Sequence, residues 1–260
     1  MKYAIRYYVS NPLLNKADEI IIKYTEKDPE LIKFVQEHRE DQVIVAQVAD
    51  FDVDIYDNLE IFSAAFKAHK NFKILVSKNQ EWSHLKMADI PFFFIEGAST
   101  PAEMWGYADA EVCDMYIVGD LAFDIEKVSN YLHKNNINVR VYPNICQGGL
   151  PDSEHGFYIR PDDLELYSSY IDIVEFAGPL DRQSVLYEIY KDGAWSGDLN
   201  DLILNLNYSV DNRSILPCFG PCRLNCKKKC LFDECNLCEM TFNTANELIK
   251  KEVILEREKE

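Results

Sequence analysis

The residues best suited to chemistry lie in one short segment, CFGPCRLNCKKKCLFDECNLCEM, which begins at Cys218. Six of the eight cysteines of the chain fall within it, at Cys218, Cys222, Cys226, Cys230, Cys235 and Cys238. Thiolates are soft ligands that select zinc or iron–sulfur clusters over magnesium or calcium. The two-residue gap between Cys235 and Cys238 is typical of such sites, because it aims both sulfurs at one ion. The segment is therefore predicted to bind metal, with all six cysteines as candidate ligands.

These spacings leave the kind of metal open. A four-iron iron–sulfur cluster (4Fe-4S) and a zinc ion both take four thiolates, so four of the six cysteines would suffice. Disulfides are the less favoured alternative, because nothing else in the sequence points to an oxidising compartment. Burial as small apolar residues fits poorly with cysteines that are interspersed with Lys, Asp, Glu and Asn. Pro217, Gly220 and Pro221 favour an irregular loop at the start of the segment.

Charge and hydropathy narrow the class of protein. The formal net charge of −17 argues against broad binding to the nucleic-acid backbone. Apolar runs such as IPFFFIEG are far too short to span a membrane, and the opening MKYAIRYYVS lacks the apolar core of a secretory signal. We therefore expect a cytoplasmic protein with no membrane segment, whose thiols stay reduced.

Eight short apolar runs alternate with amphipathic stretches and predict how the site residues are positioned. The runs are rich in β-branched or aromatic residues, as buried parallel strands are, and the stretches at 28–40, 58–70 and 124–136 have helical spacing of apolar residues. Eight strands with helix-length connections predict an α/β fold, a (β/α)8 barrel of the TIM type. The predicted strands are at 20–24, 43–48, 72–77, 92–97, 115–120, 139–144, 157–161 and 173–178.

The same pattern divides the chain into three parts. Residues 1–206 are predicted to form the barrel, and the run at 3–9 is predicted to be an extra strand that covers its lower end. Residues 207–240 form the cysteine-rich, metal-binding segment, and residues 241–260 are predicted to form a C-terminal helix with one apolar stripe.

Polar residues end or closely follow the predicted strands, where the side chains of a TIM-type barrel gather at the catalytic face. Lys23 and Arg160 would hold anionic groups of a ligand, whereas the carboxylates would transfer protons. Arg160 and Glu175 each interrupt an apolar run, and a buried charge needs a partner, so we predict that these two residues pair. The candidate catalytic residues are Lys23, Glu96, Asp120, Asn144, Arg160 and Glu175.

Two stretches of the predicted barrel resemble the peptidase U32 family of TIM-barrel proteins. They are YIVGDLAFDI at 116–125 and HGFYIRPDDLELYSSYIDIVEFAG at 155–178, in the second half of the barrel. The resemblance implies the barrel fold and an iron–sulfur protein that assists hydroxylation of RNA bases or of quinone precursors. It does not imply genuine peptidase activity. Ligands of the family's cluster lie around the later barrel loops, and in this chain Cys146 alone occupies such a loop.

Two functions follow from these observations. The first is an iron–sulfur-dependent enzyme or accessory protein that acts on a base or on a small aromatic or acidic metabolite. The second is a non-catalytic barrel whose C-terminal segment is stapled by zinc and which binds a protein partner or a second copy of the chain. The identity of the bound metal distinguishes the two hypotheses, because the first requires an iron–sulfur cluster and the second requires zinc. The sequence does not specify the substrate.

Overall fold

The computed structural model describes residues 1–7, 13–25, 30–48, 53–147, 157–206 and 209–225. Within these residues, eight strands pair in parallel to form one sheet in the order β5-β4-β3-β2-β1-β8-β7-β6. The strands are β1 Lys2–Arg6, β2 Glu19–Lys23, β3 Val43–Val48, β4 Phe72–Val76, β5 Phe92–Phe94, β6 Asp114–Tyr116, β7 Asn138–Val141 and β8 Ile173–Glu175.

The two edges of the sheet meet, so that the strands enclose a barrel. Just beyond β5 and β6, Ala98 forms a parallel bridge with Ile117, and its N–H donates to the carbonyl of Tyr116 at 2.8 Å. At the other end of the same seam, the N–H of Cys113 donates to the carbonyl of Phe92 at 2.9 Å. The predicted α/β barrel of the TIM type is thereby confirmed.

One strand of the barrel differs from the prediction. The N-terminal run is β1, which pairs in parallel with both β2 and β8, so it is a member of the barrel and not a cover for its lower end. The run at 157–161 does not join the sheet. Phe157 makes a single antiparallel bridge with Gln147, and a 3-10 helix begins at Pro161, whose fixed φ suits a first helical position. The predicted number of eight barrel strands is confirmed, but the run at 3–9 takes the place predicted for the run at 157–161.

Helices connect most of the strands on the outside of the barrel. The predicted helices at 28–40, 58–70 and 124–136 are confirmed as α1 (Glu30–Glu37), α2 (Leu59–Ala68) and α5 (Ile125–Lys134), with residues 28 and 29 outside the described residues. At the start of α4 (Pro101–Asp109), Thr100 and Glu103 form a reciprocal capping box, and Pro101 occupies the first turn. The helices are α1 Glu30–Glu37, α2 Leu59–Ala68, α3 Ser83–Met87, α4 Pro101–Asp109, α5 Ile125–Lys134, α6 Gln183–Asp192 and α7 Phe219–Leu224.

The C-terminal part of the chain is described as far as residue 225. The predicted helix at 241–260 therefore lies outside the described residues. Among the helices of the described ranges, none is long and apolar enough to cross a membrane.

Candidate functional site

The interior of the barrel is occupied by charged side chains as well as apolar ones. Arg140 of β7 is completely buried and contacts carboxylates from three other strands. Its Nη2 donates to Oε1 of Glu19 at 2.6 Å and to Oε2 of Glu175 at 3.3 Å, and its Nη1 donates to Oδ2 of Asp114 at 3.0 Å. The guanidinium also lies over the ring of Phe93, 4.6 Å from the centroid. Arg140 is thus the centre of a buried ion network.

At the amino-terminal ends of the strands, the network continues from Asp114 to Lys73. Lys73 Nζ donates to both carboxylate oxygens of Asp114, at 2.9 and 2.8 Å, and Asn138 donates to Oδ1 at 2.7 Å. Burial alone would raise the pKa of Asp114, but Lys73 and Arg140 together hold it below its ordinary value. Asp114 is therefore held as a carboxylate inside the barrel.

Toward the carboxyl ends of the strands, the network continues through Glu175 to Arg6. Oε1 of Glu175 accepts from Arg6 Nη2 at 2.7 Å and from the hydroxyl of Tyr142 at 3.3 Å, and Oε2 accepts from the hydroxyl of Tyr116 at 2.5 Å. Arg6 Nη1 donates to Oε1 of Gln47. Burial and the Glu175 charge raise the pKa of Tyr142 to about 12, so its hydroxyl stays protonated.

Several described side chains at this end of the barrel are partly exposed, and three of them take part in the hydrogen bonds above the buried network. These three are Arg6 at the end of β1, Gln47 near the end of β3, and Tyr142 directly after β7. The ring of Tyr142 lies parallel to that of Tyr116, with centroids 5.0 Å apart. Since ligands of TIM-type barrels bind at the carboxyl ends of the strands, these residues form the candidate ligand site, which we call the mouth.

The candidate catalytic residues from the sequence have different environments. Glu175 is bonded to Arg6 and Tyr142 of the mouth. Lys23 is exposed at the end of β2, in register with Gln47. Lys23 also borders a surface cavity of about 350 Å³ against α1. Asp120 is exposed near the start of the 3-10 helix at Gly119–Asp124, four residues beyond β6.

Glu96 and Asn144 hold the loops that follow β4, β5, β7 and β8. Glu96 accepts from the hydroxyl of Ser77 at 2.5 Å and from the N–H of Lys78 at 2.9 Å. The buried amide of Asn144 donates to the carbonyl of Ala177 at 2.8 Å and accepts from its N–H at 2.9 Å. These bonds fix the rim of the barrel, and they give both side chains a structural role.

The predicted pair between Arg160 and Glu175 is wrong. Arg160 instead forms a bidentate pair with Asp163, from Nε at 2.6 Å and from Nη2 at 2.9 Å, and donates to Asn212 at 3.0 Å. Because the run at 157–161 is not a barrel strand, Arg160 does not face Glu175 across neighbouring strands. The Asp163 carboxylate, three residues along the 3-10 helix, neutralises it locally.

The cysteine-rich segment begins with a helix and not with the irregular loop expected from Pro217, Gly220 and Pro221. In α7, the N–H of Cys222 donates to the carbonyl of Cys218 at 3.0 Å, which places the two thiols one helical turn apart. Pro221 is tolerated because it lies in the first turn, where an N–H has no partner within the helix. Two thiols at this spacing lie on one helix face, as the paired ligands of helical metal sites do.

α7 is packed closely against the 3-10 helix at Pro161–Tyr167. A Cβ atom on Gly220 would lie 2.1 Å from Oδ1 of Asp163, so only glycine fits there. The ring of Phe219 contacts two buried guanidinium groups, those of Arg160 at 5.2 Å and Arg223 at 5.3 Å from its centroid. The two described cysteines of the segment are therefore held on a helix that is fixed to the barrel.

Cys146, in the loop after β7, has a thiol whose pKa is affected by a charge on this helix. Burial raises the pKa of the Cys146 thiol, and the charge of Arg223 acts to lower it. Among the described residues, no three His, Cys, Asp or Glu side chains converge as a metal site. The described thiols fit a soft metal by their chemistry, and Cys226, Cys230, Cys235 and Cys238 lie outside the described residues.

Comparison with known proteins adds no functional assignment, because no family model and no curated protein matches this chain.

Proposed function

We propose that the chain is a U32-like barrel protein whose C-terminal cysteines hold a metal centre and whose mouth binds a small molecule. A 4Fe-4S cluster is the favoured centre, and zinc is the alternative. The observation that carries the proposal is the position of α7, where Cys218 and Cys222 lie one turn apart on a helix packed against the barrel. The charge of Arg223 in the same helix acts to lower the pKa of Cys146, which lies in the loop after β7.

The favoured function is an enzyme or accessory protein for hydroxylation of a base or of a small aromatic or acidic metabolite. A bound cluster supplies electrons one at a time. The chain's own contribution is at the mouth, where Arg6, Gln47 and Tyr142 offer a cation, an amide and a hydroxyl that fix the orientation of a polar ligand. The sequence predicted that Arg160 would help to bind anionic groups of a ligand, but Arg160 forms an ion pair with Asp163 instead.

The second candidate function is a non-catalytic, zinc-stapled module, which the packing of α7 also supports. Gly220 fits against Asp163, and Phe219 lies beside Arg160 and Arg223, so the helix is already anchored where a staple would begin. In this case the metal orders the residues that follow α7 and presents them to a protein partner or to a second copy of the chain.

Metal analysis of protein purified without oxygen tests the proposal and separates its two versions. Iron and inorganic sulfide in equal amounts, with broad absorbance at about 400 nm, support the iron–sulfur cluster. Stoichiometric zinc in colourless protein supports the zinc-stapled module. Replacing Cys235 and Cys238 together by Ser should release the metal while the barrel stays folded. The matched control is Cys113→Ser, a thiol beside β6 that should leave the metal content unchanged. Wild-type protein without either metal would refute both versions.

A further inference from the structure

Arg6 shares its carboxylate partner in the ion network with a second guanidinium group. Glu175 is the carboxylate bonded to Arg6, at 2.7 Å, and it is shared with Arg140, at 3.3 Å. Glu19 and Asp114, the other two carboxylates of the network, are bonded to Arg140 instead. Two guanidinium groups therefore contact the single carboxylate of Glu175, and Arg6 is the one nearer the mouth.

Arg6 is also the cation of the network that solvent reaches from the mouth. Its side chain is 27% exposed, whereas that of Glu175 is 0% exposed. The side chain points into the barrel, because it contacts Glu175 of β8 and Gln47 of β3. The interior beneath it is filled by buried residues such as Arg140 and Tyr116, so the exposed part faces the carboxyl ends of the strands.

The guanidinium of Arg6 is held in place before any ligand arrives. Gln47 and Glu175 accept from its two Nη atoms, and the hydroxyl of Tyr142 donates to the same Glu175 oxygen that Arg6 contacts. A planar guanidinium presents five N–H donors in a fixed fork that matches the oxygens of a carboxylate or phosphate. Because the Arg6 side chain is already fixed, it loses less conformational entropy when a ligand binds.

We propose that Arg6 anchors an anionic group, a carboxylate or a phosphate, on the small molecule that binds at the mouth, with Tyr142 and Gln47 beside it. The inference rests on the small-molecule role proposed for the mouth and names the chemical class of the ligand. It moves the anion-binding role from Arg160 to a residue at the end of β1.

Binding of two simple anions to the full-length, metal-loaded protein tests this assignment. Inorganic phosphate and succinate are titrated separately by calorimetry, with sodium chloride at equal ionic strength as the reference. We expect at least one of them to bind saturably. Arg6→Gln should weaken that binding by about tenfold to a hundredfold, as loss of charge-assisted hydrogen bonds does. The control Arg39→Gln removes an exposed charge between α1 and β3, before the amino-terminal end of β3, and should leave anion binding unchanged.

A second measurement covers the case in which Arg6→Gln does not fold. In protein labelled with 15N-arginine, the Nε–H signal that is lost in Arg6→Lys belongs to Arg6, and it should shift saturably with the anion while that of Arg39 does not. Phosphate acting alone identifies a phosphorylated ligand, and succinate acting alone identifies a carboxylic acid.

The inference is wrong if neither anion binds above chloride, or if Arg6→Gln binds as tightly as the wild type. Metal content measured on the same samples keeps the two proposals apart. Loaded metal without anion binding refutes the Arg6 assignment alone, and anion binding without metal refutes the metal centre alone.

Discussion

Replacing Arg140 by Met removes the centre of the ion network while leaving a side chain of similar length in the barrel. Asp114 keeps Lys73 and Asn138 as partners, and Glu175 keeps Arg6 and two tyrosine hydroxyls. Glu19 is affected most. Arg140 Nη2 is the partner of its Oε1 at 2.6 Å, and its Oε2 has no hydrogen-bond partner among the described residues.

The expected loss of stability follows from the charge that is left unpaired. Breaking a buried ion pair by removing one partner costs about 3–5 kcal/mol, because the other charge remains in a medium of low polarity. Glu19 is 0% exposed, so solvent cannot compensate it. With a urea m-value of about 3 kcal/mol/M, this loss lowers the unfolding midpoint of Arg140→Met by about 1–2 M. Tryptophan fluorescence and circular dichroism in urea measure it.

A double mutant isolates the reason for the loss. Glu19→Gln removes the charge that Arg140→Met leaves unpaired, so the double mutant should be more stable than Arg140→Met alone by at least about 1 kcal/mol. Arg39→Met, which breaks an exposed pair with Asp41, should stay within about 0.5 kcal/mol of the wild type. If Arg140→Met matches the wild type, or if the double mutant loses the full sum of its single changes, the electrostatic reasoning is refuted.

Two further predictions concern the pH dependence of stability and the packing of α7. The folded-state pKa of Asp114 lies below the ordinary value of 3.8, so its contribution to stability is fully present above about that pH and is lost as the pH falls through the folded pKa. The urea midpoint of Asp114→Asn should therefore fall less steeply than that of the wild type between pH 5 and about pH 2, and equal slopes would contradict this. Gly220→Ala places a methyl group 2.1 Å from Asp163, so it should loosen α7 and speed alkylation of Cys222. Gly106→Ala is the control, because a Cβ atom added there would meet no other atom within 4 Å. If Cys222 is alkylated at the same rate in Gly220→Ala and Gly106→Ala, the close packing of α7 is refuted.

The barrel could be predicted from the sequence because buried parallel strands leave a local signature in short apolar runs. The exchange of one strand shows where that signature fails. The runs at 3–9 and 157–161 are both mainly apolar and each contains one arginine. β1 has parallel partners on both sides, whereas Arg160 bonds to Asp163 in the 3-10 helix that follows. Whether a run joins the sheet depends on partners that periodicity does not reveal.

The mouth and the ion network were only partly predictable, for a related reason. Arg140 and Lys73 lie inside apolar runs, as Arg160 and Glu175 do, so the same rule applied evenly would have marked them as buried charges that need partners. Their partners could not be read from the sequence, because Arg140 is bonded to Glu19 across a separation of 121 residues. Such pairs are set by which strands face one another across the barrel.

The ion network in turn restricts the register of the strands. Successive side chains of a strand point to opposite faces, so a shift of β7 by one residue would turn Arg140 out of the barrel. Three carboxylates, Glu19, Asp114 and Glu175, would then lose a cation that each contacts in the native register. Apolar residues alone would tolerate such a shift better, because one aliphatic side chain can replace another. The native register also determines where Glu175 holds Arg6, and so the buried charges at the centre of the barrel fix the position of the cation at its mouth.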